Sequence, residues 1–77
     1  MARQVIYHVT YHKDENWVVK LEKTESVISS HKHKTAAVTM ACQLAKANKP
    51  SQVKIHLENG TFESDVTYGK VFSPTQG

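Results

Sequence analysis

The chain has 77 residues, with 10 Lys and Arg against 7 Asp and Glu, five His and one Cys. That length holds one domain and buries only about 60% of its unfolded surface, while 39% hydrophobic content with 3 Gly and 2 Pro excludes a disordered chain. The lone Cys42 excludes an internal disulfide, and the net charge of +3 permits an anionic partner without demanding one.

Residues 4–12 alternate. Val5, Tyr7, Val9 and Tyr11 point one way, and Ile6, His8, Thr10 and His12 the other. Period two in β-branched and aromatic residues predicts a half-buried strand. Lys13-Asp14-Glu15-Asn16 is a polar turn. Trp17, Val19 and Leu21 then alternate with Val18, Lys20 and Glu22, a second strand close enough to form an antiparallel hairpin with the first. Residues 26–30, with Val27 and Ile28, form a short third strand candidate.

Residues 34–48, KTAAVTMACQLAKAN, make the one long helix. Ala37, Met40, Ala41, Leu44, Ala45 and Asn48 step by three and four along one face. Pro50 closes it, because the residue before a proline avoids helical geometry. At 1.5 Å per residue the helix is a rod of roughly 22 Å, about the length of a six-residue strand.

Val53, Ile55 and Leu57 next alternate with Lys54, His56 and Glu58, and Asn59-Gly60 follows, the pattern of a two-residue type I′ hairpin turn. Folding there pairs Glu58 with Thr61, Leu57 with Phe62, His56 with Glu63, Ile55 with Ser64, Lys54 with Asp65 and Val53 with Val66. Leu57 and Phe62 are then expected to meet beneath Ala41 and Leu44. His56/Glu63 and Lys54/Asp65 become opposite-charge pairs on the far face.

The expected fold is α+β: a small antiparallel sheet in the order β-β-(β)-α-β-β, with one helix packed on one face. Residues 1–70 form the domain and 71–77 a polar tail. The uncovered face should carry Ile6, His8, Thr10, His12, Val18, Lys20, Glu22, Lys54, His56, Glu63 and Asp65.

Tyr7-His8-Val9, Trp17-Val18-Val19-Lys20, the alanine-rich helix with Lys34, Ala37, Ala41 and Ala45, Val53-Lys54-Ile55-His56, Asn59-Gly60 and Tyr68-Gly69 together resemble the small bacterial family catalogued as domain of unknown function twenty-one eighty-eight. The likeness runs from residue 6 to residue 69. It departs at the helix start, where the family has an acidic residue and this chain has His33-Lys34-Thr35-Ala36. The resemblance implies fold and compartment but no chemistry.

The residues themselves offer no catalytic constellation. Cys42 lies inside the helix, away from the N-terminus that stabilises a thiolate. The serines lie in no nucleophile elbow, Asp14-Glu15 sits in a turn, and Gly60, Gly69 and Gly77 build no phosphate loop. No enzyme activity is expected. His31-x-His33 and the trio His8, His12 and His56 invite a metal, but no CxxC or HExxH spacing supports one, so no metal and no cofactor is expected. No apolar run approaches the roughly 18 residues of a membrane span, and MARQVIYHVTYH is not a signal peptide, so the cytoplasm is expected and a membrane is not.

Two non-catalytic roles remain. One is a protein-interaction module, with a homodimer as the simplest form, since Ile6 and Val18 lie on the polar face and sheet edges invite pairing. The alternative is weak, sequence-tolerant nucleic-acid binding through His8, His12, Lys20, Lys32, Lys34, Lys54 and His56. Arg3 is the only arginine, which argues against base readout. No small-molecule substrate is expected.

Overall fold

The computed structural model describes residues 4–12 and 15–69. The expected tail at 71–77, and Lys13 and Asp14 of the first turn, lie outside the described residues. The elements follow in the order β1 (Val5–His12), β2 (Asn16–Leu21), β3 (Ser26–His31), α1 (Lys34–Ala47), β4 (Ser51–His56) and β5 (Phe62–Tyr68). The class is α+β: one five-stranded sheet in the order β3-β2-β1-β4-β5 with a single helix on one face.

The sheet is mixed rather than antiparallel. β1 and β4 pair in parallel, with Tyr7 opposite Val53 and Val9 opposite Ile55. The cause is the helix. β1, β2 and β3 form an antiparallel meander, and α1 then carries the chain back along the sheet. β4 therefore starts at the same end as β1 and runs beside it in the same direction.

The core lies between this sheet and α1. Tyr7, Val9, Trp17, Val19, Val53 and Ile55 face Ala37, Ala41 and Ala45, and all nine are buried. Alternation put the strand residues on one side and the three-and-four spacing put the alanines on one helical stripe. Because that stripe is only methyl groups, the helix backbone lies close to the sheet. Val9, Val19 and Val53 are fully enclosed, and each such side chain is worth about 1.5–3 kcal/mol relative to leaving it in water.

The ends of α1 differ. His33 occupies the N-cap without a side-chain hydrogen bond, and the first turn holds no acidic residue, so its exposed N–H groups lack the usual local partners. At the other end the Asn48 amide donates to the Leu44 carbonyl at 2.8 Å and to the Tyr7 hydroxyl at 3.3 Å. The buried Ser51 hydroxyl donates to the Ala45 carbonyl. β4 thus begins two residues before the expected alternation, with Ser51 as the polar plug under the helix end.

The β4–β5 hairpin corrects the expected turn. Gly60 N–H donates to the Leu57 carbonyl at 2.9 Å, and Leu57 N–H to the Thr61 carbonyl at 2.7 Å. Only Gly60, at φ +92°, takes a positive φ in this turn, and Asn59 does not. This is a three-residue loop, Glu58-Asn59-Gly60, not a two-residue type I′ turn. Asn59 instead uses its side-chain oxygen to accept the Thr61 N–H at 2.9 Å. The extra loop residue pairs His56 with Phe62, and a bulge at Glu63 then restores the expected register, Ile55 with Ser64, Lys54 with Asp65 and Val53 with Val66.

Two expectations fall with that turn. Leu57 and Phe62 do not meet under the helix: they are 38% and 52% exposed, and Phe62 sits edge-on to His56 on the uncovered face. His56 and Glu63 do not pair either. The bulge delivers Glu63 to the helix side, where Lys34 Nζ donates to it, and the same ammonium lies 5.4 Å from the Trp17 ring centroid.

Candidate functional site

The uncovered face is built from the outward residues of all five strands, and its centre is organised by His8. In the registers of β1 with β2 and with β4, His8 lies directly between Lys20 and Lys54. Its Nε2 is 2.6 Å from Glu22 Oε1, and its Nδ1 is 3.0 Å from His56 Nε2. The two imidazoles meet through these nitrogens, with centroids 5.2 Å apart and planes 26° apart. His56 Nδ1 lies 3.3 Å from the Gly60 carbonyl, so the β4–β5 loop holds the far end of the pair. Lys54 Nζ stands 4.0 Å from the same Glu22 oxygen. A depression of about 340 Å³ opens over this group, bounded also by Thr10 and Glu25.

Charge on the face is mixed. Glu22 serves both His8 and Lys54, and Asp65 accepts from the Gln52 amide at 2.6 Å. Lys20, Lys54 and the two histidines are thus interleaved with carboxylates, so no continuous positive surface results among the described residues.

Of the seven residues singled out as anion-binding, His8, Lys20, Lys54 and His56 are brought together on this face. His12 is exposed at the end of β1, and Lys32 is exposed in the bend before α1. Lys34 lies on the helix side with Glu63 and Trp17, apart from the cluster. His31 and His33 border a separate depression of about 360 Å³ at the helix start, and His31 Nε2 contacts Ser29 Oγ at 3.0 Å. Among the described residues no three His, Cys, Asp or Glu side chains converge to hold a metal ion.

The sheet edges complete the surface. Val18, expected to lend the open face apolar character, is only 5% exposed, because Thr10 and Ser30 flank it in register. Exposed apolar surface lies instead on β3, where Val27 is 54% and Ile28 43% exposed, and at the β4–β5 hairpin with Leu57 and Phe62. Between Ser26 and Ser30 that strand has no charged residue. A bulge places Ile28 as the extra residue between the Val19–Ser29 and Lys20–Val27 pairs. Sequence reading missed this edge because it could not say that β3 lies outermost.

The model of the family described as "Uncharacterized protein conserved in bacteria (DUF2188)" matches residues 7–68. The chain belongs to this family. The match runs from within β1 to the last residue of β5, so it takes in the helix, the His8–His56 contact and both sheet edges. No curated protein and no solved structure matches this DUF2188 chain. Among its described residues no helix is long and apolar enough to cross a membrane.

Proposed function

We propose that this DUF2188 protein is a non-enzymatic interaction module of the bacterial cytoplasm that self-associates through the outer edge of β3. The observation that carries this reading is the character of that edge. β3 ends the sheet on one side, so among the described residues one row of its backbone N–H and C=O groups has no strand beside it. Natural edges are usually guarded by charge, especially lysine. Here the guard is missing over Ser26–Val27–Ile28–Ser29–Ser30, and two aliphatic side chains stand in water instead. Antiparallel pairing of β3 with β3 of a second copy is self-complementary about a two-fold axis. It satisfies the edge and covers Val27 and Ile28 in one step.

The expected affinity is modest. Stable interfaces bury about 1,200–2,000 Å² in total, more than one six-residue strand supplies, and the Ile28 bulge shortens the regular stretch. Light scattering across a concentration series reads this directly. The mass should rise from 8.7 kDa toward twice that value, and Ile28→Lys should hold it at the monomer. A wild-type mass that stays monomeric at every concentration, or an Ile28→Lys protein that associates equally well, refutes the proposal. Nucleic-acid binding draws less support, since the carboxylates of Glu22 and Asp65 interrupt the lysines. A fluorescent oligonucleotide that binds at low salt and is released by added salt would favour that alternative.

A further inference from the structure

We infer that His8 and His56 form a two-imidazole site for a divalent ion of the copper–zinc class on the uncovered face, a reading independent of self-association. Four ring nitrogens are involved. The outer two face oxygen acceptors: His8 Nε2 meets the Glu22 carboxylate at 2.6 Å, and His56 Nδ1 meets the Gly60 carbonyl at 3.3 Å. An oxygen acceptor calls for N–H, so each outer nitrogen carries its ring's proton. In two neutral imidazoles the inner nitrogens, His8 Nδ1 and His56 Nε2, then both present lone pairs, and they stand 3.0 Å apart. Two lone pairs at that distance repel unless a proton or a metal ion joins them.

The arrangement around the pair is that of imidazole ligands in metal proteins. Metal-binding histidines characteristically donate their other N–H to a carboxylate or a backbone carbonyl, which fixes the tautomer and aims the lone pair. Here one ring has each kind of support. With metal–nitrogen bonds of about 2.0–2.1 Å, tetrahedral geometry sets the two nitrogens about 3.3–3.4 Å apart, so the contact must open by a few tenths of an ångström and the two rings, now nearly in line across it, must tilt. Imidazole suits copper, zinc and nickel rather than magnesium or calcium. The remaining coordination positions fall to water, because no third protein ligand converges among the described residues.

The surrounding charges are balanced. Lys20 on β2 and Lys54 on β4 flank His8 and oppose a cation, while Glu22 and Glu25 border the same depression and favour one. The spacing His8…His56 carries no sequence motif. Only the parallel pairing of β1 with β4 joins them.

The test is calorimetric titration of the untagged full chain with Cu²⁺ and Zn²⁺ at neutral pH, followed by the imidazole proton resonances. One ion per chain is expected, tighter for Cu²⁺, with the His8 and His56 signals shifting. His56→Ala and His8→Ala should each abolish that event, and His33→Ala should leave it unchanged. Glu22→Gln, which keeps both ligands, should weaken it about 10–100-fold. Circular dichroism of each variant separates lost binding from lost folding. Absence of binding to the wild type, which leaves a shared proton between the rings, overturns the inference, as does binding that survives His56→Ala in a folded protein.

Discussion

The two edges of the sheet, β3 and β5, are both short, both bulged and both outermost, yet they meet water differently. β5 carries Glu63 and Asp65, each already engaged, by Lys34 and by Gln52. Its hairpin turns through Gly60, the residue best suited to φ +92°. β3 carries no charge along Ser26–Ser30 and shows Val27 and Ile28 to solvent. Its hairpin closes with a Leu21 carbonyl to Glu25 N–H bond of 2.7 Å and places Glu25 at φ +56°, a left-handed conformation that costs a non-glycine residue about 1–2 kcal/mol. One edge carries charge and turns through a glycine, with Phe62 exposed at its start. The other is strained at its turn and uncharged along its strand.

The largest expected effect tests that contrast directly. Val27→Lys or Ile28→Lys removes an aliphatic side chain worth about 1.5–3 kcal/mol when buried. Analytical ultracentrifugation should therefore show association weakened about ten- to hundredfold. Asp65→Lys on β5 should leave association unchanged. Equal sensitivity at both edges would erase the distinction.

The turns come next. Gly60→Ala should destabilise by about 1–2 kcal/mol in urea unfolding, through left-handed strain alone, since an added Cβ would meet nothing within 4 Å. Glu25→Gly should act in the opposite direction. Relief of strain of about 1–2 kcal/mol offsets the glycine's entropy of about 0.5–1 kcal/mol, leaving a gain of up to about 1.5 kcal/mol in the same assay. If both glycine positions respond alike, turn strain does not separate the edges.

Smaller still is Glu63→Gln. The Lys34–Glu63 pair is partly exposed, and pairs of this kind contribute about 0.2–1 kcal/mol, so the thermal midpoint should fall slightly and the difference should shrink in high salt.

The smallest effect is a response to alkali on the β5 side. A hydrogen bond with Cys42, then partial burial, hold the Tyr68 phenol above its ordinary value of 10.0. Just above pH 10 the unfolded chain loses this proton while the folded chain keeps it. The unfolded state then binds fewer protons and stability falls as pH rises. Below about pH 10 the contribution is intact. Tyr68→Phe should flatten that decline in thermal midpoints measured across pH 9–11. Tyr11 is also raised, by burial first and then by Glu58 and Glu15, so its Tyr→Phe variant gauges the part that does not belong to the edge.

The sequence by itself determined whatever depends on neighbours along the chain. Alternation in residues 5–12 and 53–56 set which side chains go inward, and the step of three and four in Ala37, Ala41 and Ala45 set the helical stripe. Both are consequences of backbone periodicity. Even the β4–β5 register was legible from Ile55–Ser64 onward. Tertiary structure decided the rest. Phe62 and Glu63 changed sides, and Leu57 lost Phe62 as its partner, because a three-residue loop and a bulge cancel in register, leaving no trace in the alternation further down the strands. The parallel placement of β4 beside β1, and with it the meeting of His8 and His56, follows from where one helix lays the chain down. That is settled by burying a shared core across 48 residues of separation, a condition no local pattern encodes.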